Sequence, residues 1–489
     1  MSGPPAVDES SVASPRKGKT LASRLRLRSG YRGSTANKAI LSSTLVVGGL
    51  TAIVSIAGAV NQVFIADEFG VSDELDAFLV AFALITFCVS VVSASLIYAF
   101  LPAYVNVREQ RGTAEARHLL AGVTARSLVA VVSVSVVLAA ASQLIVWIVG
   151  SGFDSENLAL TRDLFLILLP VLTFKALSAI WAGVLNADER FAVAAAAPLA
   201  MPLATILAVV FLAGRYSVQA LAVGVLAGFV IEAVVLGATT WRRGLFVLPT
   251  WRDLRRQTEG VMRQYGAVAI GSVLMGSTVL VDNAMASRLG GGSVSALGYG
   301  NRLPFALSVL GAMALGTAVL PRFSMFVANG QISEFWSTLR FWVRAVLVVL
   351  VPVTLVLVVA SELIVRLLYE RGAFSPDDTQ LVARIQSFYF LQVPFYVLAI
   401  LASRVLSAIR RNELLAVMAV VNVILNIAGN LVFSHFLGVR GIALSTALVY
   451  AATATMGFLF VKSRRWGLSS VQPDEVEEAA GLQPGEQVT

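Results

Sequence analysis

Twelve long apolar runs constrain the fold of this chain more than any other feature of its sequence. They cover residues 38–65, 77–104, 127–150, 161–184, 191–213, 217–239, 262–288, 295–324, 341–367, 382–408, 413–436 and 440–461. Each can cross a hydrocarbon core of about 30 Å as a helix of about 20 residues. Because lipid offers no hydrogen-bond partner to open backbone groups, the runs are predicted to be helices. The predicted fold class is an all-α polytopic membrane protein.

The shortage of charge agrees with this class. Only 13% of the 489 residues are charged and 57% are hydrophobic, whereas a soluble domain carries about 25% charged residues. This composition excludes a soluble globule, a disordered chain and a secreted disulfide scaffold.

The basic residues predict the orientation of the chain. With an even number of spans, 28 Lys and Arg fall on the side of the two termini, seven on the opposite side and two within spans. Cytoplasmic loops carry such an excess, so we expect a multi-pass plasma membrane protein with both termini in the cytoplasm. The net charge of +8 then indicates contact with anionic membrane lipid rather than nucleic acid.

An internal repeat divides the chain into two halves. The string AFLPAYV at 99–105 recurs as AVLPRFS at 318–324, and VLNADERF at 184–191 recurs as VLSAIRRN at 405–412. A period of about 220 residues gives two six-helix lobes that insert the same way round, as in several transporter families. The predicted divisions are a disordered basic cytoplasmic arm (1–37), a first lobe (38–240), a cytoplasmic linker (241–261), a second lobe (262–462) and a disordered acidic cytoplasmic tail (463–489).

The sequence offers little for catalysis or for a metal. Cys88, His118 and His435 are the only cysteine and histidine residues, and a soft-ligand metal site needs three or four such groups close together. No phosphate-cradling Walker loop or GxSxG motif is present. We therefore expect neither an enzyme nor a resident cofactor.

Charged residues inside predicted spans are candidates for function, because burying a charge in lipid is costly. Arg302 either exposes a cation to an anionic substrate or snorkels to the interface, and Lys175 lies mid-span, where it could face a cavity. Asp282 could bind a cation or proton, or pair with an arginine. Glu232 could be a proton-linked site or a carboxyl bonded to a polar neighbour, and Asp76 could cap the second span.

Three asparagines in the eleventh span form a further candidate. Asn422, Asn426 and Asn430 are spaced by four, so their amides share one helical face. Amide oxygens suit a hard cation, and amides also hold packed helices together. Both interpretations are kept.

Several strings resemble a known family. LDAFLVAF at 75–82, GGSVSALGYGNRL at 291–303 and LLYERGAFSPDDT at 367–379 are similar to the MurJ/MviN family of the multidrug/oligosaccharidyl-lipid/polysaccharide exporter superfamily, over residues 38 to 462. The resemblance implies two six-helix lobes arranged as a V that alternate between inward-open and outward-open states. It also implies flipping of undecaprenyl-pyrophosphate-linked peptidoglycan precursor, lipid II, across the bacterial plasma membrane. Net transport in one direction would need an energy source, such as a coupled cation (Na⁺ or proton) or the membrane potential.

The resemblance also assigns roles to residues of this chain. Arg302 matches the cavity arginine of span eight, Asp76 the aspartate that opens span two, and Asp282 an ion-binding aspartate. The sequence departs from the family at Asn61, where an arginine is usual, and in LITFCVSVVSAS, which has no basic residue. The predicted sites comprise two sets: Arg302, Asp76, Lys175 and Asn61 for substrate, and Asp282, Asn422, Asn426 and Glu232 for cation coupling.

Three alternatives remain open. Because cavity cations are missing, the cargo could be another lipid-linked cell-wall or capsular glycan. A cation-coupled drug exporter would prefer an acidic cavity, which Arg302 and Lys175 oppose. The third alternative is a membrane scaffold that does not transport and whose cytoplasmic tails recruit cell-wall synthesis proteins.

Overall fold

The computed structural model describes residues 21–95, 100–247, 273 and 276–463, and these residues are almost entirely helical. In the described part of the first lobe the helices are α1 (Leu21–Phe69), α2 (Asp73–Ser95), α3 (Leu101–Arg111), α4 (Thr113–Ala140), α5 (Ser142–Val149), α6 (Ser155–Leu168), α7 (Val171–Ala187), α8 (Phe191–Ala196), α9 (Ala200–Tyr216) and α10 (Gln219–Arg242).

In the described part of the second lobe, a helical segment at 276–286 is followed by seven helices. These are α11 (Ser293–Ala328), α12 (Ile332–Val359), α13 (Ser361–Tyr369), α14 (Pro376–Phe390), α15 (Gln392–Ala408), α16 (Asn412–Leu437) and α17 (Val439–Lys462). The predicted all-α class is confirmed for the described residues.

Ten helical stretches among the described residues are long and apolar enough to cross a membrane. They overlap the first six and the last four of the predicted apolar runs. The seventh run is described only at residue 273 and from residue 276 onward, and the eighth coincides with α11, which contains Pro304 and Pro321. Twelve spans therefore remains a prediction, while the membrane-spanning character of the chain is clear.

Large apolar side chains cover the outside of the helices. Val359 is 87% exposed on α12, and Phe211 and Val348 are also exposed. A soluble protein rarely leaves such extensive apolar surface open to water, and in a bilayer this surface faces lipid.

The first helix begins earlier than the sequence predicted. The predicted disordered arm covered residues 1–37, but α1 already starts at Leu21. No proline interrupts the sequence from Leu21 to Phe69, so nothing in the chain forces the helix to begin at the apolar run. Residues 1–20 and all of the predicted acidic tail after Ser463 lie outside the described residues.

The predicted repeat is visible in the backbone. Glu189 and Arg410 both have positive φ, at 59° and 58°, as do Ser217 at 46° and Gly438 at 59°. Each pair is separated by 221 positions, from 189 to 410 and from 217 to 438. Because positive φ is uncommon outside glycine, its recurrence at these positions shows that the turns after residues 188 and 216 have counterparts 221 positions later.

Candidate substrate and ion sites

The two lobes meet along a contact that we call the seam, formed by residues 67–76 and 149–152 of the first lobe and 287–295 and 372–374 of the second. Asp76, at the start of α2, accepts hydrogen bonds from the backbone N–H groups of Val294 (3.2 Å) and Ser295 (2.6 Å) at the start of α11. The Asp76 side chain is fully buried. Its carboxylate therefore caps a helix of the other lobe, where the positive end of the helix dipole favours negative charge.

An apolar core crosses the seam as well. Leu75 and Phe78 of α2 belong to the same buried cluster as Val294, Tyr299 and Phe374 of the second lobe. The lobes are thus closed against each other at this end of the bundle by both polar and apolar contacts.

A pocket of about 620 Å³ lies between the lobes beside the seam, and we call it the inter-lobe pocket. Helices α1, α2, α9 and α10 of the first lobe and α11 and α13 of the second contribute to its lining. Arg302 and Asn61 both line it, as do Gln62, Tyr299 and Tyr369. The structure therefore brings together two of the four residues predicted for substrate.

Among the described residues that line this pocket, Arg302 alone carries a formal charge. Within the described part of the chain its guanidinium has no hydrogen-bond or ion-pair partner, and its side chain is exposed to the pocket. Opposite it in the first lobe, Asn61 is 3% exposed, and its Oδ1 atom has no hydrogen-bond partner among the described residues. The pocket offers one free cation and several neutral polar groups to an anionic ligand.

A second, apolar cleft continues from this pocket between α1 and α11. It has a volume of about 1120 Å³, and its lining includes Ile56, Phe191, Val309 and Met313, with Glu189 as its charged residue. Ser55, Phe305 and Ala306 line both cavities. A ligand with a polar head and a long apolar chain could therefore occupy the two spaces together.

Two residues predicted for substrate lie elsewhere. Asp76 is absent from the pocket lining because its carboxylate is committed to the start of α11. Lys175 on α7 donates to both carboxylate oxygens of Glu232 on α10, at 2.8 and 3.2 Å. The Lys175 ammonium also lies 5.2 Å from the centre of the Phe229 ring.

This ion pair also bears on the coupling role predicted for Glu232. The two charges neutralise each other inside the first lobe, and the Glu232 side chain is only 4% exposed. A buried carboxylate needs such a partner. The contact matches the alternative that Glu232 is a carboxyl bonded to a polar neighbour.

A polar cluster inside the second lobe contains the predicted ion-binding aspartate. Asp282 Oδ1 accepts from Asn426 Nδ2 at 3.0 Å and from Asn430 Nδ2 at 2.6 Å. Both asparagines are buried, and neither Oδ1 atom has a hydrogen-bond partner among the described residues. The predicted approach of Asp282 to Asn426 is confirmed.

Asn422 does not join this cluster. Its Oδ1 accepts from the hydroxyl of Thr453 at 2.5 Å, which ties α16 to α17. The prediction selected the wrong end of the asparagine face, since Asn430 lies one turn beyond Asn426 on the side that reaches Asp282. The spacing by four was the signal for Asn430.

Comparisons with known proteins identify the family to which the chain belongs. A family model described as lipid II flippase MurJ matches residues 65–472, which is most of the chain. The chain belongs to the MurJ family. Two MurJ relatives illustrate the distance within the family: lipid II flippase MurJ of Burkholderia cenocepacia is 26% identical, over 87% of this chain and 84% of that protein. The probable lipid II flippase MurJ of Rhizobium meliloti is 29% identical, over 72% of this chain and 67% of that protein.

Solved structures of MurJ and of a related transporter share the fold. A lipid II flippase MurJ in an inward closed conformation superimposes with a TM-score of 0.73 and 23% identity, over 86% of this chain and 88% of that chain. An inward-facing MATE family multidrug transporter gives a TM-score of 0.69 with 14% identity, over 88% and 99% of the two chains. The predicted MurJ/MATE-like architecture is confirmed.

Tyr299 and Tyr369 were not among the predicted site residues. Both line the inter-lobe pocket, and their rings lie 5.1 Å apart. Buried aromatic residues on apolar helices are usually core residues, so the sequence contained no signal that separated these two from the rest. Tyr299 stands in the MurJ-like string GGSVSALGYGNRL, one helical turn before Arg302.

Proposed function

We propose that this chain flips lipid II across the bacterial plasma membrane by alternating access. Membership of the MurJ family supports this function, and the observation that carries it is the free Arg302 guanidinium in a pocket between two lobes. A pyrophosphate cannot enter the apolar core unaided, because burying its charge without a partner costs many kcal/mol. Arg302 supplies a charge-assisted, bidentate contact for one of the phosphates.

The neutral groups of the pocket complete the headgroup site. The amides of Asn61 and Gln62 and the hydroxyls of Tyr299 and Tyr369 can donate hydrogen bonds to the second phosphate or to sugar. The polyprenyl chain lies along the apolar cleft between α1 and α11, whose lining is apolar except near Glu189. The head is thereby held by protein while the tail stays in an apolar environment.

The orientation follows the excess of basic residues in loops on the side of the termini. We therefore propose that both termini lie in the cytoplasm, and the seam then faces the outside of the cell. On this orientation, the contacts at the seam close the transporter towards the outside, and the headgroup site would receive its substrate from the inner leaflet. Separation of the lobes at the seam releases the substrate to the outer leaflet.

The Asp282 cluster is proposed as the coupling-ion site. Hard cations take oxygen ligands, and the cluster offers the Asp282 carboxylate together with the unpartnered amide oxygens of Asn426 and Asn430. Rotation of each amide by half a turn exchanges its donor for its acceptor and presents oxygen to Na⁺. Each charge that enters gains about 2.3 kcal/mol per 100 mV of membrane potential.

The pocket is also compatible with a second cargo. Arg302 is the only formally charged residue among the described residues of the pocket lining, and Asn61 is neutral where the family commonly has arginine. A lipid-linked cell-wall or capsular glycan other than lipid II needs the same head and tail spaces. The lone cation also opposes a drug exporter for cationic substrates.

The experiment replaces Arg302 in cells whose own lipid II flippase can be depleted. Loss of one charge-assisted contact costs about 1.5–3 kcal/mol, so Arg302→Ala should lower lipid II transfer roughly ten- to a hundred-fold and fail to restore growth. Arg302→Lys should keep part of the function, because the charge survives while the bidentate geometry is lost. Arg344→Ala, an exposed arginine outside the pocket, is the matched control and should behave as wild type. Full growth and normal transfer with a well-expressed Arg302→Ala protein would contradict the proposal.

A further inference from the structure

Two glycines of the seam lie directly against the backbone of the opposite lobe. Gly152, in the loop between α5 and α6, faces Ser287, and a Cβ atom on Gly152 would overlap the Ser287 carbonyl group. Gly372, in the loop between α13 and α14, faces Asp67, and a Cβ atom there would overlap the Asp67 carbonyl oxygen. Both overlaps fall well under 3.0 Å, a separation that real Cβ atoms essentially never show.

These two contacts are images of each other in the repeat. Gly152 and Gly372 are 220 positions apart, and so are Asp67 and Ser287. In each case a loop following α5 or its counterpart α13 rests on the end of the first long helix of the other lobe. Two equivalent contacts related by an axis along the membrane normal hold the seam on both sides of that axis.

Hydrogen bonds accompany both glycine contacts. The N–H of Ala373 donates to the Asp67 carbonyl at 2.7 Å, next to Gly372. Beside Gly152, the Arg288 Nε donates to the Ser151 hydroxyl at 2.8 Å. These bonds require the loop backbone to approach the facing helix end closely, and a glycine permits that approach.

We infer that Gly152 and Gly372 form a two-fold lock that allows the lobes to close at the outer face, and that a side chain at either position drives the transporter towards its outward-open state. Both partners of each contact are backbone groups, which cannot rotate away as a flexible side chain could. The overlap is therefore relieved by separation at the seam. The inference rests on the alternating access proposed above, but it does not depend on the identity of the cargo.

The expected shift between the closed and outward-open states can be estimated from the cost of overpacking a tight contact. Forcing an extra methyl group into a tight contact shifts an equilibrium by about ten- to a hundred-fold. If the closed state dominates in the wild type, a single alanine should make the outward-open state readily detectable. Alanines at both glycines should shift the populations further, because the two contacts lie on separate loops.

The test measures distances between spin labels on the purified full-length protein. Labels at Glu156→Cys and Asp377→Cys, both exposed near the seam on opposite lobes, report its opening. Gly152→Ala and Gly372→Ala should each increase the long-distance population about tenfold or more. Unchanged distance distributions in both folded variants would overturn the lock.

Two further glycines provide matched controls. Gly214 has no atom within 4 Å of an added Cβ and matches Gly152, while Gly438 has φ of +59° with equally open space and matches Gly372 at φ +55°. Alanine at either control should leave the distances unchanged, and opening in both controls would overturn the inference. If Gly372→Ala does not fold because of its positive φ, Gly152→Ala decides the question alone. Seam opening in the glycine variants together with no lipid II transport by the wild-type chain would retain the lock and reject the cargo.

Discussion

Removal of the Asp76 carboxylate should favour the state in which the lobes are separated at the seam, because the hydrogen bonds that it accepts from the other lobe are lost. Asp76 is fully buried and accepts two backbone hydrogen bonds from α11 of the other lobe. A hydrogen bond to a charged group contributes about 1.5–3 kcal/mol, and loss of a helix cap costs about 0.5–2 kcal/mol. When the lobes separate, water replaces both hydrogen bonds. These free-energy contributions therefore stabilise only the closed state.

The expected net change is smaller than the sum of the two bonds. Water can enter the space left by Asp76→Ala and satisfy part of the exposed N–H groups, which leaves about 2–4 kcal/mol. The closed-to-open ratio should fall by about 30- to 1000-fold, since each 1.4 kcal/mol is a factor of ten. Asp76→Asn should show an intermediate effect, because its amide oxygen can accept while its NH₂ group faces a donor.

The assay is the reaction of a pocket cysteine with an impermeant maleimide added outside intact cells. Leu79→Cys lines the inter-lobe pocket and should react slowly behind a closed seam. Asp76→Ala should accelerate its labelling by at least tenfold. Asp163→Ala, an exposed aspartate on α6 with no polar partner among the described residues, serves as the control. An unchanged labelling rate with Asp76→Ala would refute the role of this carboxylate in outer closure.

Three further predictions concern the Lys175–Glu232 ion pair, the Asp282 cluster and the proposed orientation. Lys175→Met should lower the free energy of unfolding by about 2–3 kcal/mol, because it strands the buried Glu232 carboxylate while Lys175 itself is partly exposed. The double variant with Glu232→Gln should recover most of the melting temperature in detergent, and equal melting temperatures for the single variant and wild type would contradict the pairing. Asp282→Asn should abolish the dependence of transport on Na⁺ in proteoliposomes at constant pH, whereas an unchanged Na⁺ response would remove the coupling role. In intact cells, Ser375→Cys should react with the impermeant maleimide and Ser333→Cys should not, and the reverse pattern would invert the orientation.

The sequence was sufficient to predict the all-helical membrane fold and the ten membrane-spanning stretches of the described residues. Their signals are local, since hydropathy over about 20 residues marks a span and matching strings about 220 residues apart mark a repeat. Such local signals identified only some of the residues that line the inter-lobe pocket. Arg302 stood out because a charge in a span is rare, while Tyr299 carries no such signal.

Contacts between distant helices account for most of the remaining differences. Lys175 and Glu232 were each recognised as unusual, but helical periodicity does not show that α7 and α10 place them in contact. The sequence also does not show at which height along α16 another helix makes contact. The face that carries the asparagines was therefore predicted correctly, but Asn422 was chosen in place of Asn430. Asp76 was considered as a cap of its own helix, and the structure shows it capping a helix of the other lobe.

Transfer of lipid II across the membrane of proteoliposomes tests the central proposal most directly. Vesicles containing the purified full-length chain and fluorescent lipid II would be treated with an external reagent that destroys exposed label. The wild-type chain should expose nearly all of the label, whereas Arg302→Ala vesicles should retain most of the inner-leaflet fraction over the same interval. Retention of the inner-leaflet lipid II by wild-type vesicles, with rapid transfer of another polyprenyl-linked glycan in parallel vesicles, would contradict lipid II as the cargo.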